Sequence, residues 1–295
     1  MRGAIVLLTR GYPRVEWYEK LIKRNAHIYE NFNKNLETQY PLIIFHEGNI
    51  SQEHQNFIFQ YERNADVRFI DISMHFRWPA SIPLSAVKDH AFHPGYRLMC
   101  AFNCFHIWNY VKDFDYIMRV DEDCLIGELK YDIFKHMEDN SMDYLVSRFS
   151  QETHPLTNET LPPVAHSLLG DKWAESDYEQ HNLWVPYTNL YVAKTALFLQ
   201  PEVQEFLLKL TSDERFLTHR WGDHVTMGII LKAFSKPEKV SHIHNFIFYH
   251  GSHHCITQDG RAIEGLLSPR EAEVFDCVET GKEPNHYIAR ELQAK

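Results

Sequence analysis

The chain has 295 residues, 44% of them hydrophobic and 14% aromatic, with a formal charge of −10 at pH 7. That much apolar material builds a large core and excludes a disordered chain, while the acidic balance excludes a general nucleic-acid binder, whose affinity rests on clustered Lys and Arg. Five cysteines, at 100, 104, 124, 255 and 277, are an odd number without a CxxC pair, which excludes a disulfide scaffold.

GAIVLLTR (3–10) opens the pattern as a short apolar run with Thr9 and Arg10 at its end. It is too short for a membrane span or signal-peptide core and reads as a strand buried on both faces. WYEKLIKRNAHIYENFNKNL (17–36) spaces Leu21, Ile28 and Phe32 at helical intervals. YPLIIFHEGN (40–49) is a second buried strand, SQEHQNFIFQYER (51–63) a helix with Ser51 as N-cap, and VRFIDIS (67–73) a third strand. This alternation predicts a largely parallel sheet flanked by helices, with ligands beyond the carboxyl ends of its strands. GYRLMCAFNCFHIWNYVKDF (95–114) reads as a helix and FDYIMRV (114–120) as a strand, so the acidic run RVDEDC (119–124) starts at a strand end. Residues 151–185 are rich in Pro, His and Ser without a clear period and read as a long loop or insertion that shapes a substrate pocket. Beyond it come a strand-like PYTNLYVAKTALFL (186–199), a helix PEVQEFLLKLTSDERF (201–216) with Pro201 in its first turn, and HRWGDHVTMGIILKAF (219–234), a loop entering an apolar helix. HIHNFIFYHGSHHC (242–255) is a strand running into a His-rich loop.

Three groups can carry chemistry. Asp121 and Asp123, two residues apart in an extended segment, present their carboxylates to one side, where a shared divalent cation would neutralise a diphosphate leaving group; the alternative is an acidic turn on a solvated surface. His242, His244, His250, His253, His254 and Cys255 offer either a zinc site of their own or one histidine to the cation shared by the carboxylates. HRWGDH supplies Arg220, Trp221, Asp223 and His224; Asp223 is either an N-cap or a carboxylate that accepts sugar hydroxyl hydrogen bonds. Arg10 and Arg119, both at strand ends, can pair with phosphate or with a neighbouring carboxylate.

Taken in order, VLLTR, YPLIIFHEGNIS, GYRLMCAF, RVDEDC, YTNLYVAKTALF, RWGDHVTMGI and FIFYHGSHHC resemble glycosyltransferase family 15, the fungal-type α-1,2-mannosyltransferases. The resemblance implies a GT-A fold, a GDP-mannose donor and manganese. It places the family's metal-binding acids on Asp121 and Asp123 and its metal histidine on His250. It also places the tyrosine beside the nucleotide and transferred sugar on Tyr96, the arginine before the metal motif on Arg119, and the late aspartate on Asp223. One departure stands out. Where the family reads Ser-Asn-Phe-Glu, with the glutamate on the sugar's reactive face, this chain reads Thr188-Asn189-Leu190-Tyr191, and a tyrosine of ordinary pKa near ~10 is a poor anionic nucleophile at neutral pH.

The expectation is therefore an α/β chain of GT-A type, with a Rossmann-like, mostly parallel central sheet in a single domain over residues 1–295. Residues 1–127 would be the nucleotide-binding half, ending in the DxD, and 128–295 the acceptor-side half. The expected activity is metal-dependent transfer of a hexose, mannose from GDP-mannose, to a hydroxyl of a glycan or glycolipid with retention. Asp121, Asp123 and His250 would hold Mn²⁺; Thr9, Arg10, Arg119 and Asp121 would seat the nucleotide; Asp223, Tyr191 and Tyr96 would line the reacting sugar. The alternatives are a zinc-dependent hydrolase using the histidines and a non-catalytic glycan- or nucleotide-binding relative. Nucleic-acid partners and a membrane span are not expected, and a start directly before the first strand fits a cytoplasmic protein, or a Golgi-lumenal one with an anchor removed.

Overall fold

The computed structural model describes residues 1–174, 183–251, 253–258 and 261–266. In chain order the first elements are β1 (Gly3–Thr9), α1 (Glu19–Asn31), β2 (Leu42–His46), α2 (Gln52–Phe59), β3 (Val67–Asp71), α3 (Pro94–Ala101) and α4 (Ile107–Tyr110). Next are β4 (Tyr116–Val120), β5 (Cys124–Leu129), α5 (Ile133–Asp139), β6 (Tyr144–Val146), β7 (Phe149–Gln151), α6 (Pro155–Leu169) and α7 (Asp171–Ala174). Then follow β8 (Trp184–Pro186), β9 (Leu190–Lys194), α8 (Thr195–Phe198), α9 (Pro201–Ser212), α10 (Glu214–Thr218) and α11 (Asp223–Phe234). Strands β10 (Val240–His242), β11 (Phe246–His250), β12 (His253–Gln258) and β13 (Arg261–Leu266) come last.

These elements form two compact units. One comprises Gly3–Ser73, Met118–His136 and the described residues from His242 on. Its strands run in the order β4-β1-β2-β3, and β1–β2 and β2–β3 are parallel. All five residues of β2 are buried, as are six of the seven of β1. Both strands therefore have covered faces, which is why they read as continuous apolar runs instead of alternating ones. Helix α1 contributes Leu21, Ile22 and Ile28 to this core, and α2 starts where expected, the Ser51 hydroxyl accepting the His54 N–H at 3.3 Å. The same unit holds the antiparallel ribbon β13-β12-β11-β5.

The other unit comprises Met1–Arg2, Met74–Ile117 and Met137–Ser241. Its strand order is β10-β6-β9, with β6–β9 antiparallel, beside a small β7–β8 pair. Val203, Phe206, Leu207 and Leu210 of α9 are buried, and so are Val225, Met227, Ile229 and Ile230 of α11. Trp108 of α4 stacks on Phe198 of α8, with ring centroids 3.9 Å apart and planes 4° from parallel.

Three stretches depart from expectation. The helix over 95–114 is divided by a π turn, Phe102–His106, in which Phe102, Asn103 and Cys104 are all buried. Three consecutive buried residues do not share one face at 3.6 residues per turn, so the wider turn accommodates them. Within the supposed long loop, Pro155–Leu169 forms α6. Pro162 and Pro163 read as breakers in the sequence, but Pro155 starts the helix, His154 caps it by accepting the Thr157 N–H, and Thr157, Leu161 and Ala165 bury one face at a spacing of four. Residues 253–258 form β12, pairing with β11 around Gly251 (φ 55°), where a loop was expected. Among the described residues no helix is long and apolar enough to cross a membrane.

Candidate active site

The acidic turn is built by strand ends. β4 stops at Val120, the Cys124 N–H donates to the Asp121 carbonyl at 3.0 Å, and the chain returns as β5, whose Cys124 lies opposite His250 of β11. That register carries residues more than a hundred positions apart to one point. His250 Nε2 lies 3.5 Å from Asp123 Oδ2, and one ligand atom from each of Asp123, Cys124 and His250 falls within 4.8 Å of the others. Burial and the Asp123 and Asp121 charges push the Cys124 thiol well above its ordinary range, so it stays a neutral, poor ligand. Burial also pushes the Asp123 carboxyl up, but the hydrogen bond and charge of His250 outweigh it and hold the group low. An ionised carboxylate beside an imidazole is a donor set that suits a divalent cation such as Mn²⁺.

Asp121 stands differently. Arg119, only 3% exposed, grips its carboxylate with a two-pronged contact, Nε to Oδ1 at 2.7 Å and Nη2 to Oδ2 at 3.2 Å. Glu122, between the two aspartates, accepts from the Thr9 hydroxyl at 2.7 Å and the Tyr12 hydroxyl at 2.8 Å. Its carboxyl is raised by burial against the pull of those bonds and of Arg24 and Arg10. Thr9, expected to seat the nucleotide, is buried with its hydroxyl on Glu122, so it ties β1 to the acidic turn. Arg10 remains exposed, its guanidinium 5.2 Å from the centre of the Tyr12 ring. Among the described side chains, His250 is the histidine that joins the acidic cluster, while the His244 ring lies 6.3 Å from that of His136. The side chains of His253, His254 and Cys255, and all of Cys277, lie outside the described residues.

In the other unit, Tyr96 and Asp223 share a polar cluster. Gly222 is the N-cap of α11, not Asp223; Asp223 is its first residue, 3% exposed, and accepts the His224 N–H at 3.1 Å and the Cys100 thiol at 3.8 Å. The electrostatic influence of Cys100, burial and the nearby Asp223 carboxylate together push the Tyr96 hydroxyl far above the ordinary tyrosine range. It is therefore a neutral phenol, a donor and not a base. Arg97, 1% exposed, fixes this helix from below, donating to the carbonyls of Leu217 (2.8 Å), Phe92 (3.2 Å) and Asp89. Arg97→Ala would strand these carbonyls, and we expect a loss of about 3 kcal/mol in urea unfolding.

Sequence reasoning did not find Glu152. It follows β7 and is largely buried, with Oε2 2.6 Å from His224 Nε2 and 3.9 Å from Arg220 Nη1, and Oε1 accepting the His154 N–H at 2.7 Å. No periodicity surrounds it; the one sequence signal was its partner, His224, inside HRWGDH. Arg220 adopts φ 57° and lays its guanidinium 4.1 Å from the Phe92 ring centre. Tyr191 lies in β9, 0% exposed, opposite Val146 and stacked on Tyr144 at 5.1 Å. It is part of the unit's apolar packing.

The model of the family "Glycolipid 2-alpha-mannosyltransferase", glycosyltransferase family 15, matches residues 4–264. Glycolipid 2-alpha-mannosyltransferase 1 of Candida albicans is 28% identical over 174 residues, covering 52% of this chain and 39% of that protein. Alpha-1,2 mannosyltransferase KTR1 of Saccharomyces cerevisiae is 26% identical over 196 residues, covering 62% and 48%. The chain thus spans under half the length of these relatives. Core-mannan synthase A (CmsA/Ktr4) of Aspergillus fumigatus, solved in its Mn/GDP form, superposes with a TM-score of 0.75 at 18% identity over 91% of this chain and 79% of its own. The mannosyltransferase Ktr4p of S. cerevisiae in complex with GDP gives 0.73 at 17% identity, over 92% and 79%. The fold is GT-A, and the chain belongs to the glycolipid 2-alpha-mannosyltransferase family, glycosyltransferase family 15.

Proposed function

We propose that this chain transfers a mannosyl group from GDP-mannose to a hydroxyl of a glycan or glycolipid. The observation that carries the reading is the meeting of Asp123 and His250 at 3.5 Å where β5 and β11 pair, in a chain of this family. Relatives solved with GDP, one of them also with Mn, support the choice of nucleotide and ion.

Asp123 and His250 would hold the ion, with Asp121 as a further oxygen donor. A bound divalent cation supplies charge neutralisation at the diphosphate. The chain's own residues do the rest. Arg119 orients Asp121, and Glu122 pins the turn to β1 through Thr9 and Tyr12, which leaves Arg10 exposed for phosphate. Tyr96 donates a hydrogen bond from a hydroxyl that stays protonated at neutral pH, and Asp223 accepts from a sugar hydroxyl. With Tyr191 packed against Tyr144, no carboxylate is supplied at that position, and we favour a same-face substitution in which the leaving phosphate takes the proton of the attacking hydroxyl.

The test is a panel of sugar nucleotides with Mn²⁺ and mannoside acceptors, read by mass spectrometry together with metal analysis of the purified protein. The expected result is a hexose added from GDP-mannose alone; tightly held zinc without transfer from any donor would instead favour a hydrolase. Tyr191→Phe removes a buried hydroxyl but keeps the ring stack, so its activity is expected within about threefold of wild type. Complete loss in a folded Tyr191→Phe protein would give the hydroxyl a chemical role.

A further inference from the structure

The Glu152–His224 contact does more than fill space. His224 Nε2 is committed to Glu152 at 2.6 Å, while Nδ1, the other ring nitrogen, lies 3.9 Å from Asp223 Oδ1, inside ion-pair range and beyond a hydrogen bond. A hydroxyl oxygen about 2.8 Å from both atoms would bridge that gap, accepting from Nδ1–H and donating to the carboxylate. The ring is confined to this position. A Cβ on Gly222 would stand 2.8 Å from both Cε1 and Nδ1 of His224, so the glycine is the space the imidazole occupies. Glu152 is in turn fixed by the His154 N–H and faced by Arg220, and the His154 ring pairs with Asp89 at 3.1 Å. On the side of α3, Cys100 reaches Asp223 at 3.8 Å, and Tyr96 lies near both.

From this arrangement we infer that His224 Nδ1–H and the Asp223 carboxylate form a hydroxyl-binding subsite for the acceptor sugar, with Glu152 as the positioning residue that keeps the imidazole doubly protonated and aimed. A neutral imidazole with its proton on Nε2 would present a lone pair at Nδ1 and repel the aspartate, so the subsite requires the cation. Burial alone would discharge the ring, but the neighbouring carboxylates of Asp223 and Glu152, the latter also hydrogen-bonded to it, outweigh burial and hold its pKa at about 9. The assignment of the hydroxyl to an acceptor rests on the mannosyl-transfer reading; the Glu152–His224 couple does not.

Two measurements test it. In the ¹⁵N-histidine-labelled protein, the resonance lost in His224→Gln should titrate near pH 9 in wild type and fall to the ordinary histidine range or below in Glu152→Gln; an unchanged midpoint in Glu152→Gln overturns the positioning role. In kinetics with methyl α-mannoside as acceptor, His224→Gln should raise the acceptor KM about tenfold while GDP binding with Mn²⁺, measured by calorimetry, stays as in wild type. An unchanged acceptor KM, or an equal loss of GDP affinity, overturns the subsite. If His224→Gln does not fold, Gly222→Ala, which displaces the ring, carries the same comparison. If no donor supports transfer at all, the mannosyl-transfer reading fails. Chemical-shift titration of wild type and the His224 variant with methyl α-mannoside then decides the subsite by itself: binding lost in the variant supports it, and equal or absent binding overturns it.

Discussion

Asp123→Ala is expected to lower mannosyl transfer by at least ~10³-fold, about 4 kcal/mol of transition-state stabilisation, with the protein still folded. Asp123 is partly exposed, on a turn outside the buried core, so truncating it leaves packing intact. What it removes is the ionised oxygen facing His250, on the aspartate of the pair that Arg119 does not grip. Asp121→Ala is expected to lose activity too, but through two effects, since it also releases the charge of a nearly buried Arg119. Comparing the two variants by transfer rate and by Mn²⁺ dependence of GDP binding separates these roles. Asp123→Ala should abolish the metal dependence, whereas Asp121→Ala should weaken GDP binding and lower its thermal midpoint as well. A full rate in Asp123→Ala would remove this carboxylate from the metal site.

Glu152→Ala is expected to cost about 3–5 kcal/mol, because it leaves the His224 cation buried without its partner. The pH dependence identifies the cause. His224 is held at about 9, above its ordinary value, so its contribution is complete below pH 6.5 and is lost as pH rises through 9. The carboxyl of Glu152 is pushed up by burial, but its bonds to His224 and the His154 N–H outweigh this and hold it at about 2, so the acid side of the same interaction is complete above pH 4.5 and is lost as pH falls through 2. These are two limbs of one pair and count once. The alkaline limb is the cleaner to read. His27, His46, His75, His106 and His219 are all lowered, chiefly by burial, so their stabilising neutral forms are already complete by pH 6.5. Urea midpoints of wild type should therefore drop between pH 6.5 and 9, and those of Glu152→Ala should be low throughout and nearly flat. A parallel drop in the variant would assign the limb to another group.

Much of this architecture was legible residue by residue. The runs AIVLL and LIIF announced strands covered on both faces, and Ser51 announced a helix start, because local periodicity and capping are decided within a few residues. RVDEDC was legible as a strand-end acidic turn for the same reason. The pairing that gives it meaning was legible only through the family resemblance, which set His250 with the two aspartates. Nothing local in Cys124 or His250 states that β5 and β11 lie in register, and a sequence read in one dimension does not reveal that Arg119 takes Asp121 while Asp123 is left for His250. Thr9 shows the same limit: a hydroxyl at a strand end suits a nucleotide, yet Glu122 takes it. Glu152 was invisible for a further reason. It sits between a three-residue strand and a helix whose sequence carries two internal prolines that read as breakers, so neither a period of 2 nor one of 3.6 is long enough to be read, and its partner lies 72 positions away.

The most direct test of the central claim is GDP release from GDP-mannose in the presence of methyl α-mannoside, measured on protein stripped with EDTA and again after Mn²⁺ is returned. The account predicts no release from the stripped wild-type protein, restoration by Mn²⁺ with a dimannoside as product, and no restoration in Asp123→Ala. Release that persists without metal, or that Mn²⁺ restores equally in Asp123→Ala, would contradict it.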